Sequence, residues 1–381
     1  MSDRPKVILA TRGWAATPEF AGTTWAALQW MLGAQRLGVD IYWLDRLGPV
    51  NEFRDVHSLG YLVERFAETA QRFGFEERYV VQYNDGQHYF GLSAEELDSL
   101  TSDAALLLNM GGYLPLDSAL MLIPRRAFLD LDPGFTQIWA HQADIGLSRH
   151  NLFFTLGQNV ATPDFAIPTL GIKWRPFFPP VVLQQWPANI DERCERLSTV
   201  ADWRGSQEAI FKEEHYGGKR REFIRFLDLP RDTGRRVHLA LCIGQDDFED
   251  LGLLLGHNWR VCDPFQYAGN VIGYREFIRL SRAEVSVAKS GYVMTRGGFV
   301  SDRTACYLAS GKPALVQSTG FESSVPTGKG LVTFSTLQEA VAGLNSIEAD
   351  YLGHCRAARR IAETYFDSDR VIASVLERAG L

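Results

Sequence analysis

Positively charged side chains and glycines are concentrated in one segment of the second half of the sequence, Ala283–Gly320. Lys289 follows an apolar, strand-like run, and a loop then carries Arg296 and the pair Gly297-Gly298. Glycines let the backbone approach a ligand closely, and lysine and arginine side chains bind phosphate groups. This composition predicts a site for an anion.

A helix is predicted to begin directly after this loop. Ser301 or Asp302 can cap its first turn, which also contains Arg303. The N-terminus of a helix offers N–H groups and the positive end of its dipole to an anion. Because Ser301 and Asp302 already meet the capping requirement, we expect Arg303 to neutralise a phosphate, and Arg303→Ala to fold but lose ligand. The alternative is a capped surface helix with solvated charges. The segment ends at Thr319-Gly320, which we include in the candidate site.

Two acidic residues stand at the end of a predicted strand in the first half, in the sequence Asp130-Leu131-Asp132. In an extended chain their carboxylates face the same side, an arrangement that suits a divalent metal ion. The following Pro133-Gly134 is, however, typical of an ordinary turn. Basic side chains and a helix dipole can also stabilise a leaving phosphate without a metal. We therefore expect no metal.

The first half also contains the candidates for a catalytic base. Asp132 and His141 are two of them, and Asp85 and His88 are the others. A carboxylate or an imidazole can accept the proton of an attacking hydroxyl when it is positioned beside it. Any one of these histidines is, as an alternative, a structural residue that only forms hydrogen bonds.

Aromatic residues occur in the loop after the first predicted strand, Gly13–Gly22, which contains Trp14 and Phe20. Such rings can stack on a sugar or on another acceptor molecule. Packing in the core is the simpler explanation of the same residues.

The composition bounds the class of protein. A chain of 381 residues predicts about two domains, and 46% apolar and 22% charged residues are typical of a globular protein. A formal net charge of −7 argues against broad nucleic-acid or anionic-membrane binding. No apolar stretch approaches the roughly 20 residues that span a bilayer. The five cysteines form no C-x-x-C pair, which favours a reducing cytoplasm over a disulfide framework or a zinc site.

The first half begins with a β–α–β pattern. Lys6–Thr11 is strand-like, Trp25 to Gln35 repeats with helical spacing after a cap at Thr23 or Thr24, and Val39–Leu44 is the next strand. Such a unit predicts a parallel sheet. The other strands expected in this half are Tyr79–Tyr83, Ala104–Asn109, Ala127–Leu131, Leu152–Leu156 and Ala166–Ile167.

A break follows at Pro176–Pro187, where four prolines favour an extended linker or hinge. After it, strands and helices alternate again. The strands expected there are Leu197–Ala201, Arg236–Ile243, Trp259–Cys262, Glu284–Ala288, Pro313–Gln317 and Gly330–Phe334. The helices expected are Lys219–Leu227, Phe248–Leu255, Tyr274–Leu280, Ser301–Ser310, Leu337–Leu344, Tyr351–Tyr365 and Ser368–Ala379. The fold class is therefore α/β, with two Rossmann-like domains that face a cleft.

Three motifs resemble a known family. Gly311-Lys312-Pro313-Ala314-Leu315-Val316, after the helix Ala305–Ser310, is similar to the donor-binding region of GT-B glycosyltransferases. Ser301–Pro313 and Asp130–Gln137 are similar to motifs of a bacterial glycosyltransferase-like group. One feature departs from the family: retaining members carry an E-x7-E pair, and this chain has Cys306 and Gly298 at those places.

The resemblance implies roles for further residues and for each domain. Arg204 and Lys219 match an Arg and a Lys that bind the donor diphosphate, although Ser206–Tyr216 is an insertion between them. Asp302 becomes the first candidate for the ribose contact. Residues 1–187 would form the acceptor-side domain, residues 188–365 would bind the nucleotide sugar, and residues 366–381 would be a helix that packs back on the first domain.

The expected function is glycosyl transfer from a nucleoside-diphosphate sugar to a small-molecule or glycan acceptor. Two alternatives stay open at this point. One is a nucleotide-sugar epimerase or hydrolase of similar fold, which needs no acceptor. The other is a two-lobed protein that binds a small ligand without turnover.

Overall fold

A computed structural model describes residues 4–48, 57–117, 119–163, 165–205 and 208–381. The strands form two large sheets and one hairpin. The first sheet contains β1 (Lys6–Arg12), β2 (Asp40–Leu47), β3 (Tyr79–Tyr83), β4 (His88–Gly91), β5 (Leu106–Met110), β6 (Arg126–Asp130), β7 (Leu152–Thr155) and β8 (Arg175–Pro176). The remaining strands are β9 (Leu197–Asp202), β10 (Ala209–Phe211), β11 (Glu214–Tyr216), β12 (Val237–Cys242), β13 (Arg260–Cys262), β14 (Ala283–Ser286), β15 (Ala314–Gln317) and β16 (Leu331–Phe334).

Helices connect the strands in both halves. In the first half they are α1 (Ala21–Arg36), α2 (Leu59–Arg72), α3 (Ala94–Asp103) and α4 (Phe135–Gln142). In the second half they are α5 (Arg220–Arg225), α6 (Leu229–Thr233), α7 (Phe248–Gly256), α8 (Pro264–Ala268), α9 (Val271–Arg279), α10 (Ser290–Thr295), α11 (Asp302–Ala309), α12 (Leu337–Ala349), α13 (Tyr351–Ile361) and α14 (Ser368–Ala379). No described helix is long and apolar enough to cross a membrane.

The strand order confirms two Rossmann-like units. The first sheet has the order β4-β3-β2-β1-β5-β6-β7-β8, and the second has β13-β12-β9-β14-β15-β16. Apart from the antiparallel edge strand β4, the pairings in both sheets are parallel. The order reverses between β1 and β5 in one sheet and between β9 and β14 in the other. Ligands of such sheets bind beyond the carboxyl ends of the strands at these points.

Three local predictions differ from the structure. Ala166–Ile167 forms no strand, because Ile167 packs beneath α4 in a small apolar cluster. The first helix begins at Ala21 after Phe20, so neither Thr23 nor Thr24 caps it. The loop expected after Lys289 begins as the short helix α10, whose first residues are buried.

The proline-rich segment is packed rather than exposed. Val181, Val182 and Trp186 are each at most 2% exposed. Val181 forms a β-bridge with Asp367, and the Val182 N–H donates to Gln29 of α1 at 2.7 Å. The proline-rich segment is therefore fixed between α1 and the residue that precedes α14, and it is not a free hinge.

The last helix, α14, lies against α1. Arg36 pairs with Asp369 through two hydrogen bonds of 2.8–2.9 Å. Gly33 of α1 permits this approach, because an added Cβ would lie 2.5 Å from Ile372 and 2.9 Å from Ser368. One apolar core cluster consequently runs from the first sheet through α1 into α11, α13 and α14.

Candidate active site

A cavity of about 770 Å³ lies between the two sheets. The carboxyl ends of β1, β5, β6 and β7 meet it from one side, and those of β9, β12, β14 and β15 from the other. Both reversal points of the strand order therefore open into one cleft. This is the position at which doubly wound sheets bind their ligands, and the volume suits a small organic molecule.

Three cationic side chains meet at the end of β14. Lys219 donates a hydrogen bond to the carbonyl of Val287. Burial, followed by the charges of Arg303 and Lys289, lowers the pKa of Lys219 well below 10.5. Within the described part of the chain no carboxylate pairs with Lys219. An anion in the cleft would counter this effect and favour the protonated form of Lys219.

Arg303 lines the cleft but has structural partners that the sequence did not predict. Its Nε donates to Glu284 at 2.6 Å, its Nη1 donates to the carbonyl of Val200 at 2.9 Å, and its Nη2 donates to Ser286. The Glu284 side chain is fully buried. Arg303 therefore compensates a buried carboxylate, a structural role that was not evident from the sequence.

Asp132 connects the two sides of the cleft. Lys289 lies 3.2 Å from its Oδ1, Tyr292 donates to the same oxygen, and Tyr113 donates to Oδ2 at 2.6 Å. Burial alone would raise the pKa of Asp132, but Lys289 and the two hydroxyls together hold it below 3.8. The carboxylate is ionised and already bound by a cation.

Asp130 is fully buried outside the cavity lining, and its Oδ1 accepts a hydrogen bond from the N–H of Asp132 at 3.0 Å. Its oxygens accept hydrogen bonds from Thr136, Gln137 and Thr155. Burial raises the pKa of Asp130 to about 6, although these hydrogen bonds lower it. The two carboxylates of the D-x-D sequence have different partners, because Lys289 and two tyrosines hold Asp132. Among the described residues, no group of three or more Asp, Glu, His or Cys side chains could hold a metal ion.

The start of α11 faces the cleft. Ser301 and Asp302 line it, and the Ser301 hydroxyl accepts from the N–H of Arg303 at 3.2 Å. Burial raises the pKa of Asp302 in spite of the neighbouring Arg303. Thr319 lies at the same edge, where its hydroxyl donates to the carbonyl of Phe299 at 2.7 Å.

The glycine loop binds another part of the chain. The carbonyls of Gly297 and Gly298 accept from the N–H groups of Asn159 and Gln158 at 3.0 and 3.2 Å. Asn159 also donates through its side chain to the carbonyls of Arg296 and Gly320, at 2.9 and 2.8 Å. The close approach that the glycines allow is thus to the backbone of the first domain.

Arg204 lies at the mouth of the cleft with an acidic partner. Its guanidinium donates to Asp247 with distances of 2.6–3.1 Å, and 58% of its side chain is exposed. Ser206 and Gln207 of the predicted insertion lie outside the described residues; the remainder includes the hairpin β10–β11. A phosphate at Arg204 would share it with Asp247.

The other predicted bases lie away from the cleft. His141 is exposed, with Nε2 3.0 Å from the carbonyl of Pro168. Asp85 is exposed in the turn between β3 and β4, and the ring of His88 stacks on Tyr83. None of the three is among the described residues that line the cavity.

Several cleft residues were not predicted from the sequence. Tyr113 and Tyr292 hold Asp132, and Glu19 lines the cleft from the loop before α1. The Oε2 atom of Glu19 is buried, has no hydrogen-bond partner in the part of the chain that the structure describes, and lies 4.0 Å from Nε2 of His57. In the sequence, Glu19 directly precedes Phe20 in the loop Gly13–Gly22, where an acceptor was expected to stack. This position could have identified Glu19 as a cleft residue.

No protein-family model and no curated protein matches the chain. Several solved structures are similar to the chain in fold. An α-glucosyltransferase in complex with UDP and a mismatched DNA is 10% identical over 99% of this chain and 100% of its own, with a TM-score of 0.60. Anabaena HepE in complex with UDP-glucose is 12% identical over 98% of this chain and 99% of its own, with a TM-score of 0.59. Sucrose-phosphate synthase from Thermosynechococcus elongatus is 10% identical over 98% of both chains, with a TM-score of 0.53. The fold of this chain, over nearly its whole length, is the GT-B fold.

Proposed function

We propose that the protein is a glycosyltransferase that takes a sugar from a nucleoside-diphosphate donor. The observation that carries the proposal is the cluster of Lys219, Lys289 and Arg303 at the switch point of the second sheet, where Lys219 has no anionic partner among the described residues. A diphosphate would supply the negative charge that Lys219 lacks as a partner. The UDP and UDP-glucose in the structures of similar fold support this choice of ligand.

In this proposal the cations also act in catalysis. Transfer breaks the bond between the anomeric carbon and the donor phosphate, and negative charge grows on the departing diphosphate. Lys219 and Lys289 stabilise that charge, and such contacts are strongest where water is excluded. Transfer of this kind needs no divalent metal, which agrees with the engagement of Asp130 by its own domain.

The acceptor is proposed to bind against residues 1–187, the donor against residues 188–365, and residues 366–381 to hold the two together. Asp132 is then the proposed base, because it is the predicted candidate that lines the cleft. While Lys289 holds it, its lowered pKa makes it a weak base. A donor diphosphate that draws Lys289 away would strengthen it.

The test is a thermal-shift panel of UDP, GDP, ADP and TDP, with and without a chelator. A ligand that binds only the native state stabilises it by about 2.7 kcal/mol at a hundred times its dissociation constant. We expect one nucleotide to raise the unfolding temperature equally under both conditions, and its sugar conjugate to be consumed only with an acceptor. Consumption of the donor alone would indicate an epimerase or hydrolase, and a strict metal requirement would contradict the cation mechanism.

A further inference from the structure

The two walls of the cleft differ in chemistry. The wall from the second domain carries Lys219, Lys289 and Arg303 near the strand ends. The opposite wall is lined mainly by large apolar side chains: Trp14, Phe20, Met110, Leu131, Leu156 and Phe177. If the proposed donor binds the basic wall, as this inference assumes, the apolar wall receives the acceptor.

Part of this apolar surface packs on the core and also remains accessible to the cleft. Trp14, Phe20 and Leu131 are only partly buried, whereas Met110 and Phe177 form a buried floor at 1% and 5% exposure. Exposed apolar surface that is collected in one concave place marks a binding site. The aliphatic members matter, because they can bury apolar area but cannot form hydrogen bonds.

The rim of the cleft is aromatic on both sides. Phe20 of the first domain meets Phe265 of the second edge to face, with ring centroids 5.6 Å apart and an angle of 79° between the planes. Phe265 keeps 41% of its surface exposed. A flat ring that packs against this pair at the mouth of the cleft would contact both Phe20 and Phe265.

Charged groups on the apolar wall are few. Among the described residues they are Arg12, Glu19 and Asp132, and Asp132 is held by Lys289 and two tyrosines. A sugar acceptor needs a hydrogen-bond partner for most of its hydroxyls, since each unpaired polar group costs free energy on burial. The hydroxyl groups of this wall belong to Thr17, Thr23 and Tyr113, and those of Thr17 and Tyr113 already donate to the carbonyl of Trp14 and to Asp132. The described part of this wall therefore offers few hydroxyls to a sugar. Among the described residues no group donates a hydrogen bond to the buried Oε2 of Glu19, and one acceptor hydroxyl would supply it.

We propose that the acceptor is an apolar, aromatic compound with one reacting hydroxyl, of the phenol or naphthol class, and not a sugar. In the transfer the acceptor oxygen bonds to the anomeric carbon, the bond from that carbon to the phosphate oxygen breaks, and the diphosphate leaves with the electron pair. The hydroxyl proton passes to a carboxylate of the cleft.

The probe is 2-naphthol, titrated by calorimetry into the full chain with saturating UDP, and methyl β-glucoside is the polar comparison. We expect 2-naphthol to bind and methyl β-glucoside not to bind. Phe20→Ala should weaken naphthol binding by about fivefold or more, since one aromatic contact is lost, and leave UDP binding unchanged. Phe248→Ala, whose ring is 64% exposed outside the cleft, is the matched control and should bind naphthol as the parent does.

Phe265→Ala repeats the test from the other wall should Phe20→Ala fold poorly. Binding or glycosylation of the glucoside in preference to naphthol would overturn the inference, as would unchanged naphthol affinity in both variants. These outcomes differ from failure of the proposed function, in which UDP itself does not bind.

Discussion

Asp132 and Lys289 form an ion pair of 3.2 Å across the cleft, although 157 positions separate them in the chain. Asp132 follows β6 of the first sheet, and Lys289 follows β14 of the second. The pair therefore occupies the place where the proposed diphosphate would contact Lys289. A carboxylate of the protein and the phosphate of the donor compete for one cation.

This competition predicts opposite effects for the two partners. Asp132→Asn removes the competing charge and should raise the affinity for UDP by up to about tenfold, and Lys289→Met should lower it by a similar factor. Titration calorimetry measures both. Asp103→Asn, which breaks the surface pair with Lys6, should leave UDP affinity unchanged. An Asp132→Asn variant that binds UDP no better than the parent would rule out the competition.

The lowered pKa of Lys219 predicts the pH dependence of binding. The protonated amine attracts the diphosphate, so binding raises the pKa of Lys219 and takes up a proton. Affinity for UDP should be highest below the lowered pKa and decline, by up to about tenfold per pH unit, as the pH rises from there toward 10.5. Lys219→Met should lose this decline, whereas Lys329→Met, on the surface beside Asp350, should keep it. Calorimetry in buffers of different ionisation enthalpy detects the proton uptake.

The burial of Glu284 changes the expectation for Arg303. Arg303→Ala leaves a fully buried carboxylate without its cation and should lower the free energy of unfolding by about 3–5 kcal/mol. Adding Glu284→Gln removes the uncompensated charge and should restore most of the loss. Denaturant unfolding measures both variants. A fully stable Arg303→Ala variant would show that the pair contributes nothing to the fold.

Neighbouring glycines offer a matched pair of substitutions. Gly298 has a φ of +77°, and an added Cβ would lie 3.0 Å from the N atom of Asn159, so Gly298→Ala should cost at least about 1–2 kcal/mol of stability. At Gly297 the nearest atoms are 3.5–3.7 Å away, and Gly297→Ala should be tolerated. Thermal unfolding distinguishes them. If both variants keep full stability and both lose UDP binding, the loop holds a phosphate instead of joining the domains.

Much of the fold could be predicted because local patterns determine it. The alternation of apolar runs located Tyr79–Tyr83, and the capped amphipathic pattern located Ser368–Ala379, with the bounds that the structure has. The short pieces were missed: Ser290–Thr295 has too few residues to show a helical period, and its burial comes from tertiary packing.

The candidate site was less predictable, because charge alone does not reveal a partner. Lys219 and Lys289 were selected as phosphate ligands, and both line the cleft. Arg303 was selected for the same reason, but its guanidinium is bound to Glu284. This glutamate is the charged residue of a strand that is buried throughout. Such a glutamate needs a buried cation, and that was the signal available in the sequence. A Gly-Gly pair cannot tell whether a phosphate or another backbone comes close to it.

The central claim is that a donor diphosphate binds the cation cluster at the end of β14. The most direct measurement is a crystal structure of the chain with UDP. We predict phosphate oxygens within hydrogen-bonding distance of Lys219 and Lys289, with Asp132 released from Lys289 and still held by Tyr113. A diphosphate bound elsewhere, with the Asp132–Lys289 pair intact, would contradict the account.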